Sequence, residues 1–147
     1  IFKQTRIGKT GVTFEFYKFR SMPLSTPIVE SKDAKKLQIT PFGKFIRRTN
    51  LDELPQFYNV LKGDMSFIGP RPPIPQQFDL IDLRKKNGAI NLNPGLTGWA
   101  QVNSFDGMTV EQKANFDGEY VLKISFLLDC IILLKTALYF TKKPPTY

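Results

Sequence analysis

The chain has 147 residues, the usual size of one domain, and 41% of them are hydrophobic, which is enough for a modest core. Lysine and arginine number 21 against 13 acidic residues, so the net charge of +8 favours polyanionic partners: nucleic acid, anionic lipid or phosphorylated small molecules. The absence of histidine excludes Ser-His-Asp and Cys-His catalysis and any zinc site built on imidazole. Acid–base and nucleophilic chemistry must therefore come from carboxylates, lysine, tyrosine or the single cysteine.

The first 22 residues predict a basic β-hairpin. A Gly-Lys-Thr-Gly turn at residues 8–11 precedes a segment rich in aromatic and β-branched side chains. Lys18 and Arg20 alternate with aromatic residues there, a pattern that fits binding of single-stranded nucleic acid or of a nucleotide. A half-buried strand with solvated lysines explains the same pattern equally well. The polar residues 23–36 follow, and they predict a mobile loop.

Two short helices are predicted next. In the first, residues 40–48, Thr40 is the expected N-cap and Pro41 the first helical residue, and an apolar stripe faces the core. The stripe consists of Phe42, Phe45 and Ile46. The second helix covers residues 51–62, because Pro55 must lie in its first turn, and it ends at Gly63.

The following segments alternate between loops and helices. Residues 67–76 hold four prolines and predict a stiff, extended loop, and residues 93–98 predict a turn. Residues 76–86 predict an amphipathic helix that ends near Gly88, and residues 109–120 predict a helix with a capping box. The expected apolar contacts of the first of these helices are Phe78, Ile81 and Leu83, and the capping box of the second pairs Thr109 with Gln112.

The most apolar stretch is residues 124–140. As a helix it would span roughly 26 Å, slightly short for a bilayer, and Asp129 and Lys135 would be costly at mid-membrane. A buried or interfacial helix is therefore favoured over a spanning one. Cys130 lies in this run, and we expect it to fill the core in a reducing compartment. The predicted fold is α+β: a mostly helical single domain with an N-terminal β-hairpin and amphipathic membrane-interface helices.

Two adjacent carboxylates, Asp52 and Glu53, follow Arg47 and Arg48 at a predicted helix start. Acidic residues are common at this position, and a capping pair of Asn50 and Glu53 would explain them structurally; on this feature alone, that interpretation is favoured. The functional hypothesis is phosphate chemistry. Helix N–H groups and arginines hold phosphate, a carboxylate can attack phosphorus, and Mg²⁺ can be held by the carboxylate pair.

Arg71 lies between prolines, which present its side chain from a backbone of little freedom and suit it to phosphate binding. The alternative is that residues 70–73 form a P-x-x-P ligand of an SH3-type module. Asp64 is more readily explained as a turn former than as an indirect partner of a metal.

Three motifs taken together resemble the bacterial sugar transferase family, the monotopic polyprenyl-phosphate glycosyl-1-phosphate transferases. They are KFRSM at residues 18–22, RRTNLDELPQFYNVLKGDMSFIGPRP at residues 47–72 and PGLTGWAQVN at residues 94–103. The resemblance covers essentially the whole chain, in the family's order. Chains of the family open with an apolar membrane-embedded helix ahead of the segment matched by residues 1–8, where this sequence begins; since its first residue is Ile and not Met, we expect the true start to lie further upstream. Residues 103–108 also depart from the family's usual Val-Asn-Gly form.

The resemblance implies a ping-pong reaction. Asp52 would attack the β-phosphorus of a UDP-sugar, UMP would leave, and polyprenyl phosphate, usually undecaprenyl phosphate, would take the phosphosugar. Glu53 would support Mg²⁺, held by both carboxylates, or handle protons. Four further residues match family positions associated with phosphate binding: Arg47, Arg71, Lys18 and Arg20.

The resemblance also implies the partners and the location. We expect a UDP-sugar, polyprenyl phosphate and the cytoplasmic face of the bacterial inner membrane, with monotopic attachment and no nucleic acid; a homodimer is left open. The products would begin surface polysaccharide or glycoconjugate synthesis. The competing hypothesis is a non-enzymatic basic module that binds nucleic acid or anionic membrane, which leaves the carboxylate pair unexplained.

Overall fold

A computed structural model describes residues 1–23, 40–104 and 108–141. The side chains of Arg48 and of residues 139–141 also lie outside the description. The loop predicted over residues 23–36 falls outside the described residues except for Pro23.

The N-terminal hairpin is present as predicted. Strand β1 (Phe2–Ile7) pairs antiparallel with β2 (Thr13–Lys18). The turn between them is a single 3-10 turn in which Thr10 and Gly11 have φ angles of 55° and 85°. Glycine adopts this left-handed conformation without strain, which explains why the Gly-Lys-Thr-Gly turn ends in glycine. Phe16 is buried and anchors the inner face of the hairpin.

Helix α1 (Pro41–Arg48) begins as predicted. The Thr40 hydroxyl oxygen accepts a hydrogen bond of 2.9 Å from the backbone N–H of Gly43. A side chain at position 43 would lie only 2.0 Å from the carbonyl oxygen of Ser21, so the glycine allows α1 to pack directly on the segment that follows the hairpin. The apolar stripe is only partly buried: Ile46 is in the core, whereas Phe42 and Phe45 are exposed, contrary to expectation.

The predicted second helix is divided in two. A 3-10 turn covers Leu51–Glu53, and helix α2 (Gln56–Lys62) begins after Pro55 and ends at Gly63, whose φ is 87°. Asn50 precedes the turn in a left-handed conformation, and its side chain makes no capping hydrogen bond. The capping pair of Asn50 and Glu53 is therefore wrong, since the Glu53 carboxylate bonds to cations from other elements instead.

The middle of the chain contains a parallel strand pair that the sequence did not predict. Strand β3 (Ser66–Ile68) pairs with β4 (Gly95–Thr97). Strand β3 overlaps the start of the predicted loop, and β4 lies within the predicted turn. Each strand has three residues, too few to show alternation. Helix α3 (Phe78–Lys86) follows β3. Its buried residues are Leu80, Ile81 and Arg84, whereas Phe78 is exposed and Leu83 only half-buried, which corrects the predicted apolar contacts.

Three helices complete the domain: α4 (Trp99–Val102), α5 (Val110–Lys123) and α6 (Phe126–Thr141). The predicted capping box of Thr109 and Gln112 is confirmed.

Helix α6 touches the domain along one side only. Ile132 is fully buried, and the Thr136 hydroxyl lies 2.7 Å from that of Thr97. Cys130 is exposed, so the expectation that it fills the core is wrong. None of the described helices is both long and apolar enough to cross a bilayer. The predicted α+β architecture with an N-terminal hairpin is confirmed.

Candidate active site

The site begins where β2 meets the 3-10 turn that carries the carboxylate pair. The backbone N–H of Phe19 donates to the carbonyl of Asp52 at 2.9 Å, which joins the end of β2 to that turn. Lys18, the last residue of β2, places its Nζ 2.7 Å from Oε1 of Glu53 and 3.8 Å from Oδ2 of Asp52. The basic strand motif and the carboxylate pair are therefore one site.

Asn59 keeps β2 in this position. Its amide nitrogen donates to the carbonyl of Glu15 at 2.7 Å, and its amide oxygen accepts from the backbone N–H of Tyr17 at 3.3 Å. Asn59 is fully buried on α2. This amide therefore replaces a strand partner for β2 and fixes the residue before Lys18.

Arg71 approaches from the proline-rich loop. Its Nη2 lies 3.0 Å from Oε1 of Glu53, so one carboxylate oxygen is shared by two cations. The loop is tied to the first strand, because Nη1 of Arg6 donates to the carbonyl of Pro72 at 3.0 Å and the N–H of Ile7 donates to that of Pro73 at 2.9 Å.

A buried ion pair supports the same loop from the other side. Nε and Nη2 of Arg84 lie 2.8 Å and 2.6 Å from Oδ2 of Asp117, which joins α3 to α5. Nη1 of Arg84 donates to the backbone carbonyl of Arg71 at 2.8 Å. Sequence analysis missed both residues of this pair. The available signal was that Arg84 follows Leu80 by four residues, which puts an arginine on the apolar face of α3.

The two adjacent carboxylates have opposite electrostatic character. Burial raises the pKa of Asp52, Lys18 opposes that rise, and the neighbouring Glu53 carboxylate adds to it. Burial would also raise the pKa of Glu53, but Arg71 and Lys18 outweigh it and hold that pKa well below its usual range. Glu53 is thus a permanent counter-ion, whereas Asp52 is a buried carboxylate with little compensation.

The remaining candidates lie at different places. Nε of Arg47 donates to the hydroxyl of Ser21 at 2.8 Å, and its charge lowers the pKa of Asp52, so it faces the site. Arg20 is exposed over the ring of Phe2 at 5.5 Å, and no contact among the described residues joins it to either carboxylate.

Asp64 forms a turn rather than a part of the site. Its Oδ2 lies 3.1 Å from Nζ of Lys62 and accepts from the Asn59 amide at 3.3 Å. The interpretation of Asp64 as a turn former fits these contacts.

The carboxylate pair fits a hard divalent cation only in part. The described residues contain no group of three or more side chains suited to hold a metal. Asp52 and Glu53 are nevertheless adjacent, and Mg²⁺ commonly takes one or two carboxylates and completes its shell with phosphate oxygens and water. The pair therefore suits an ion that arrives with a phosphorylated ligand.

A cavity of about 420 Å³ opens beside Glu53 and Arg71, between the proline-rich loop and α4. Its charged lining is mainly cationic, with one carboxylate: Arg6, Arg71, Arg84, Lys113 and Glu53. Asp52 lies outside this lining, so the cavity reaches the carboxylate pair from the Glu53 side. Sequence analysis did not identify Arg6, and it named the residues of α4 only as part of the PGLTGWAQVN motif, without a role.

Comparison with known proteins gives a consistent picture. The sequence profile of a family described as bacterial sugar transferase matches residues 1–143. Over 92% of its length the chain is 41% identical to the UDP-glucose:undecaprenyl-phosphate glucose-1-phosphate transferase of Escherichia coli (strain K12), covering 31% of that protein.

Two further relatives differ in the sugar that they are named for. The chain is 37% identical, over 92% of its length, to the galactosyl transferase CpsE of Streptococcus agalactiae serotype III (strain NEM316), of which it covers 33%. It is 38% identical, again over 92%, to the UDP-N-acetylgalactosamine-undecaprenyl-phosphate N-acetylgalactosaminephosphotransferase of Aeromonas hydrophila, of which it covers 34%. The chain thus spans about a third of the length of these three relatives.

Proposed function

The chain belongs to the bacterial sugar transferase family, and on that premise we propose that it transfers a sugar 1-phosphate from a UDP-sugar to a polyprenyl phosphate. The relatives named for glucose and for N-acetylgalactosamine both have undecaprenyl phosphate in their names, so the acceptor is the element that they share. The observation that carries the proposal is the buried Asp52 next to a Glu53 that two cations keep ionised.

In the first half-reaction, an oxygen of the ionised Asp52 carboxylate attacks the β-phosphorus of the UDP-sugar. A bond forms between that oxygen and phosphorus, and the bond from phosphorus to the bridging oxygen breaks, so that UMP leaves with the electron pair. Because Asp52 is buried, its ionised form is poorly solvated and correspondingly reactive. Lys18 and Arg71 are placed to offset the charge on the phosphate oxygens.

In the second half-reaction, an oxygen of polyprenyl phosphate attacks the same phosphorus. The acyl-phosphate bond breaks and the Asp52 carboxylate is regenerated. The product is a polyprenyl diphospho-sugar.

We assign Mg²⁺ to Asp52 and Glu53, together with phosphate oxygens of the substrate. When bound, the ion would neutralise part of the negative charge of the diphosphate. Removal of divalent cations with EDTA is expected to abolish transfer, and added Mg²⁺ to restore it; transfer at the full rate in EDTA would contradict this assignment.

We also place the protein at a membrane surface, on the cytoplasmic face of the bacterial inner membrane. Several large apolar side chains point away from the domain, among them Leu61 on α2 and Phe126, Leu127 and Leu134 on α6. Such side chains suit contact with lipid, where the prenyl acceptor would reside.

The decisive test is to trap the intermediate. The protein is mixed with a radiolabelled UDP-sugar in the absence of acceptor, quenched in acid and digested, and the modified peptide is identified by mass spectrometry. We expect one phosphosugar per chain, on Asp52, with stoichiometric release of UMP. An Asp82→Asn variant, altered on the exposed surface of α3 away from the carboxylate pair, serves as the matched control and should be labelled normally. A linkage on another residue, or no linkage, would refute the proposal.

A further inference from the structure

Arg6, near the end of β1, has a guanidinium group that is only partly engaged within the protein. Its Nη1 donates to the carbonyl of Pro72 at 3.0 Å, and the group lies 5.2 Å from the centre of the Phe16 ring. Its Nε is enclosed, whereas Nη2 is not enclosed and has no hydrogen-bond partner among the described residues. Because Arg6 also lines the cavity beside Glu53, Nη2 is the donor that a ligand in this cavity can reach.

The charge of Arg6 is not balanced by a carboxylate of its own. In the described part of the chain it forms no ion pair, and the charged groups that act on it are Arg71 and Glu53. Burial lowers the pKa of Arg6 to about 10, the Arg71 guanidinium adds to that fall, and Glu53 opposes it. Arg6 still carries its charge at neutral pH, so two cations lie near each other at one end of the cavity. An anion bound to both would offset their burial and their repulsion.

The rest of the cavity wall has the same sign of charge. Lys113 on α5 also lines it, and its side chain makes no hydrogen bond or ion pair with a described residue. The described lining contains one carboxylate, Glu53, which already holds Lys18 and Arg71. Arg6 and Lys113 therefore leave an excess of positive charge in a concave site, which attracts anions.

This excess charge indicates which part of a UDP-sugar the cavity would hold. Glu53 and Arg71 belong both to the carboxylate site and to the cavity wall, so the cavity adjoins the place where the β-phosphorus would react. That phosphorus carries a neutral sugar on one oxygen and the anionic α-phosphate of UMP on another. Cations favour the α-phosphate, and they stabilise the negative charge that it gains as UMP leaves.

The second half-reaction requires a similar group at the same place. Polyprenyl phosphate is a phosphate monoester, as UMP is, and its oxygen forms to the β-phosphorus the bond that UMP has broken. In each displacement the attacking and leaving oxygens lie on opposite sides of the phosphorus, and Asp52 is on one side both times. The acceptor phosphate must therefore take the place of the leaving phosphate, and one cationic cavity can serve both.

We propose that Arg6, together with Arg71, forms a subsite for a phosphate monoester, which holds the α-phosphate of UMP in the first half-reaction and the phosphate of the polyprenyl acceptor in the second. The inference rests on the proposed transferase function. It adds to that function a phosphate-binding residue on the first strand, outside the three sequence motifs, and one binding place that two substrates use in turn.

The test compares Arg6→Met with the wild-type protein. Binding of UMP is measured by titration calorimetry, and the KM of a short-chain polyprenyl phosphate and the pattern of inhibition by UMP are measured in the transfer assay. Lys3→Met is the matched control, because Lys3 has the same charge on the same strand but is exposed, pairs with Glu15 and lies outside the cavity. Thermal denaturation confirms that each variant is folded.

We expect Arg6→Met to weaken UMP binding by about 10- to 100-fold, the loss typical of a hydrogen bond to a charged group, and to raise the KM of polyprenyl phosphate similarly. The two ligands have only the phosphate in common, so a shared loss identifies the phosphate as the group that Arg6 contacts. UMP should compete with polyprenyl phosphate, and Lys3→Met should behave as wild type. Unchanged UMP affinity in folded Arg6→Met would overturn the inference, as would a loss for only one of the two ligands.

A second comparison separates direct contact from support of the proline-rich loop. Arg6 also holds the carbonyl of Pro72, so its replacement would weaken binding indirectly if it only displaced Arg71. The Arg6→Met change is therefore also made in an Arg71→Met background. If Arg6 binds the phosphate itself, UMP binding should weaken there by about a further fivefold or more. No further loss would show that Arg6 acts only through Arg71 and would refute its place in the subsite.

Failure of the proposed function has a different signature: the wild-type protein would release no UMP from UDP-glucose, UDP-galactose or their N-acetylated counterparts. The calorimetric comparison does not depend on turnover and decides the phosphate contact by itself. Weaker binding of UMP by Arg6→Met supports the contact, whereas equal binding by the two proteins, or no binding by wild type, refutes it.

Discussion

Two clusters of ionised side chains, which are joined through one residue, are built in opposite ways. Arg84 and Asp117 form a closed pair whose side chains are 5% and 2% exposed. Around Glu53, by contrast, Lys18 and Arg71 share one carboxylate oxygen, and the three side chains are 20%, 26% and 44% exposed for Lys18, Glu53 and Arg71. The two clusters meet at Arg71, whose carbonyl is held by Arg84 and whose guanidinium reaches Glu53.

The difference indicates that the closed pair supports the fold, whereas the open cluster is suited to bind a ligand. The closed pair has one cation for one anion, and both side chains are almost fully buried, so its main role is to fix α3, α5 and the loop that carries Arg71. The open cluster has more cationic charge than Glu53 balances, and it is accessible to a phosphorylated ligand. Asp52 lies beside the open cluster, where Lys18 at 3.8 Å only partly offsets the rise in pKa that burial causes. The following experiments test this division, from the largest expected effect to the smallest.

Asp52→Asn should remove the chemistry while leaving the fold. We expect transfer to fall by about 10⁴-fold, as for loss of a nucleophile. Stability should not fall: burial raises the pKa of Asp52, so the ionised carboxylate opposes folding above that pKa, and a neutral amide removes this cost. Radiolabel transfer and the melting temperature at pH 7 are measured together. A lower melting temperature would mean that Asp52 has a supporting role instead.

Asp117→Ala should have the opposite profile, with the main effect on stability. It leaves the Arg84 guanidinium buried without its partner, which typically costs about 3–5 kcal/mol in free energy of unfolding. Urea denaturation measures the loss. Asp82→Ala is the matched control, since Asp82 pairs with Lys85 on the same helix as Arg84 but on the surface, and should cost less than about 1 kcal/mol. Similar losses for the two variants would contradict the distinction.

Glu53→Gln should lower the rate by about a hundredfold, because Lys18 and Arg71 lose the carboxylate that positions them. The variant also removes a negative charge that raises the pKa of Asp52. In the proposed mechanism Asp52 reacts in its ionised form, so the acid limb of kcat/KM against pH should move to lower pH. An acid limb that moves to higher pH would show that this carboxylate does not act on Asp52 in the way inferred.

Lys18→Met should move the acid limb of kcat/KM against pH to higher pH. The Lys18 ammonium lowers the pKa of Asp52, so removing it raises that pKa, and activity should disappear at a higher pH as the solution is acidified. We expect a smaller loss of rate at high pH, about tenfold. Arg20→Met is the control: Arg20 stands apart from the carboxylates over the ring of Phe2, and its variant should keep the wild-type limb.

The sequence predicted the fold where local signals decide it. The turn at Gly11, the cap at Thr40, the stop at Gly63 and the capping box of Thr109 are each set by a few neighbouring residues, and all four are present. The strands β3 and β4 were missed because three-residue strands show no periodicity and their pairing joins residues 29 positions apart, as between Ser66 and Gly95. Cys130 was misplaced for a related reason: the composition of α6 shows that it is apolar, but not which side is covered.

The site could likewise be predicted only where a local pattern of residues reveals it. The motif residues Lys18, Glu53 and Arg71 were identified from local pattern and family resemblance, and the structure brings all three together. Arg84 and Asp117 were not found, because a buried charge becomes meaningful only when the fold supplies its partner 33 residues away.

The contacts of Arg6 and Ile7 with Pro72 and Pro73 make the beginning of the chain a brace for a segment more than 60 residues further along. An edge strand at a terminus often tolerates trimming, but here its removal would release the proline-rich loop on one side and let Arg71 drift from Glu53. A variant that lacks residues 1–7 should therefore keep most of its helices and bind phosphorylated ligands more weakly. The first strand therefore determines the geometry of the proposed site although it contributes neither of the two carboxylates.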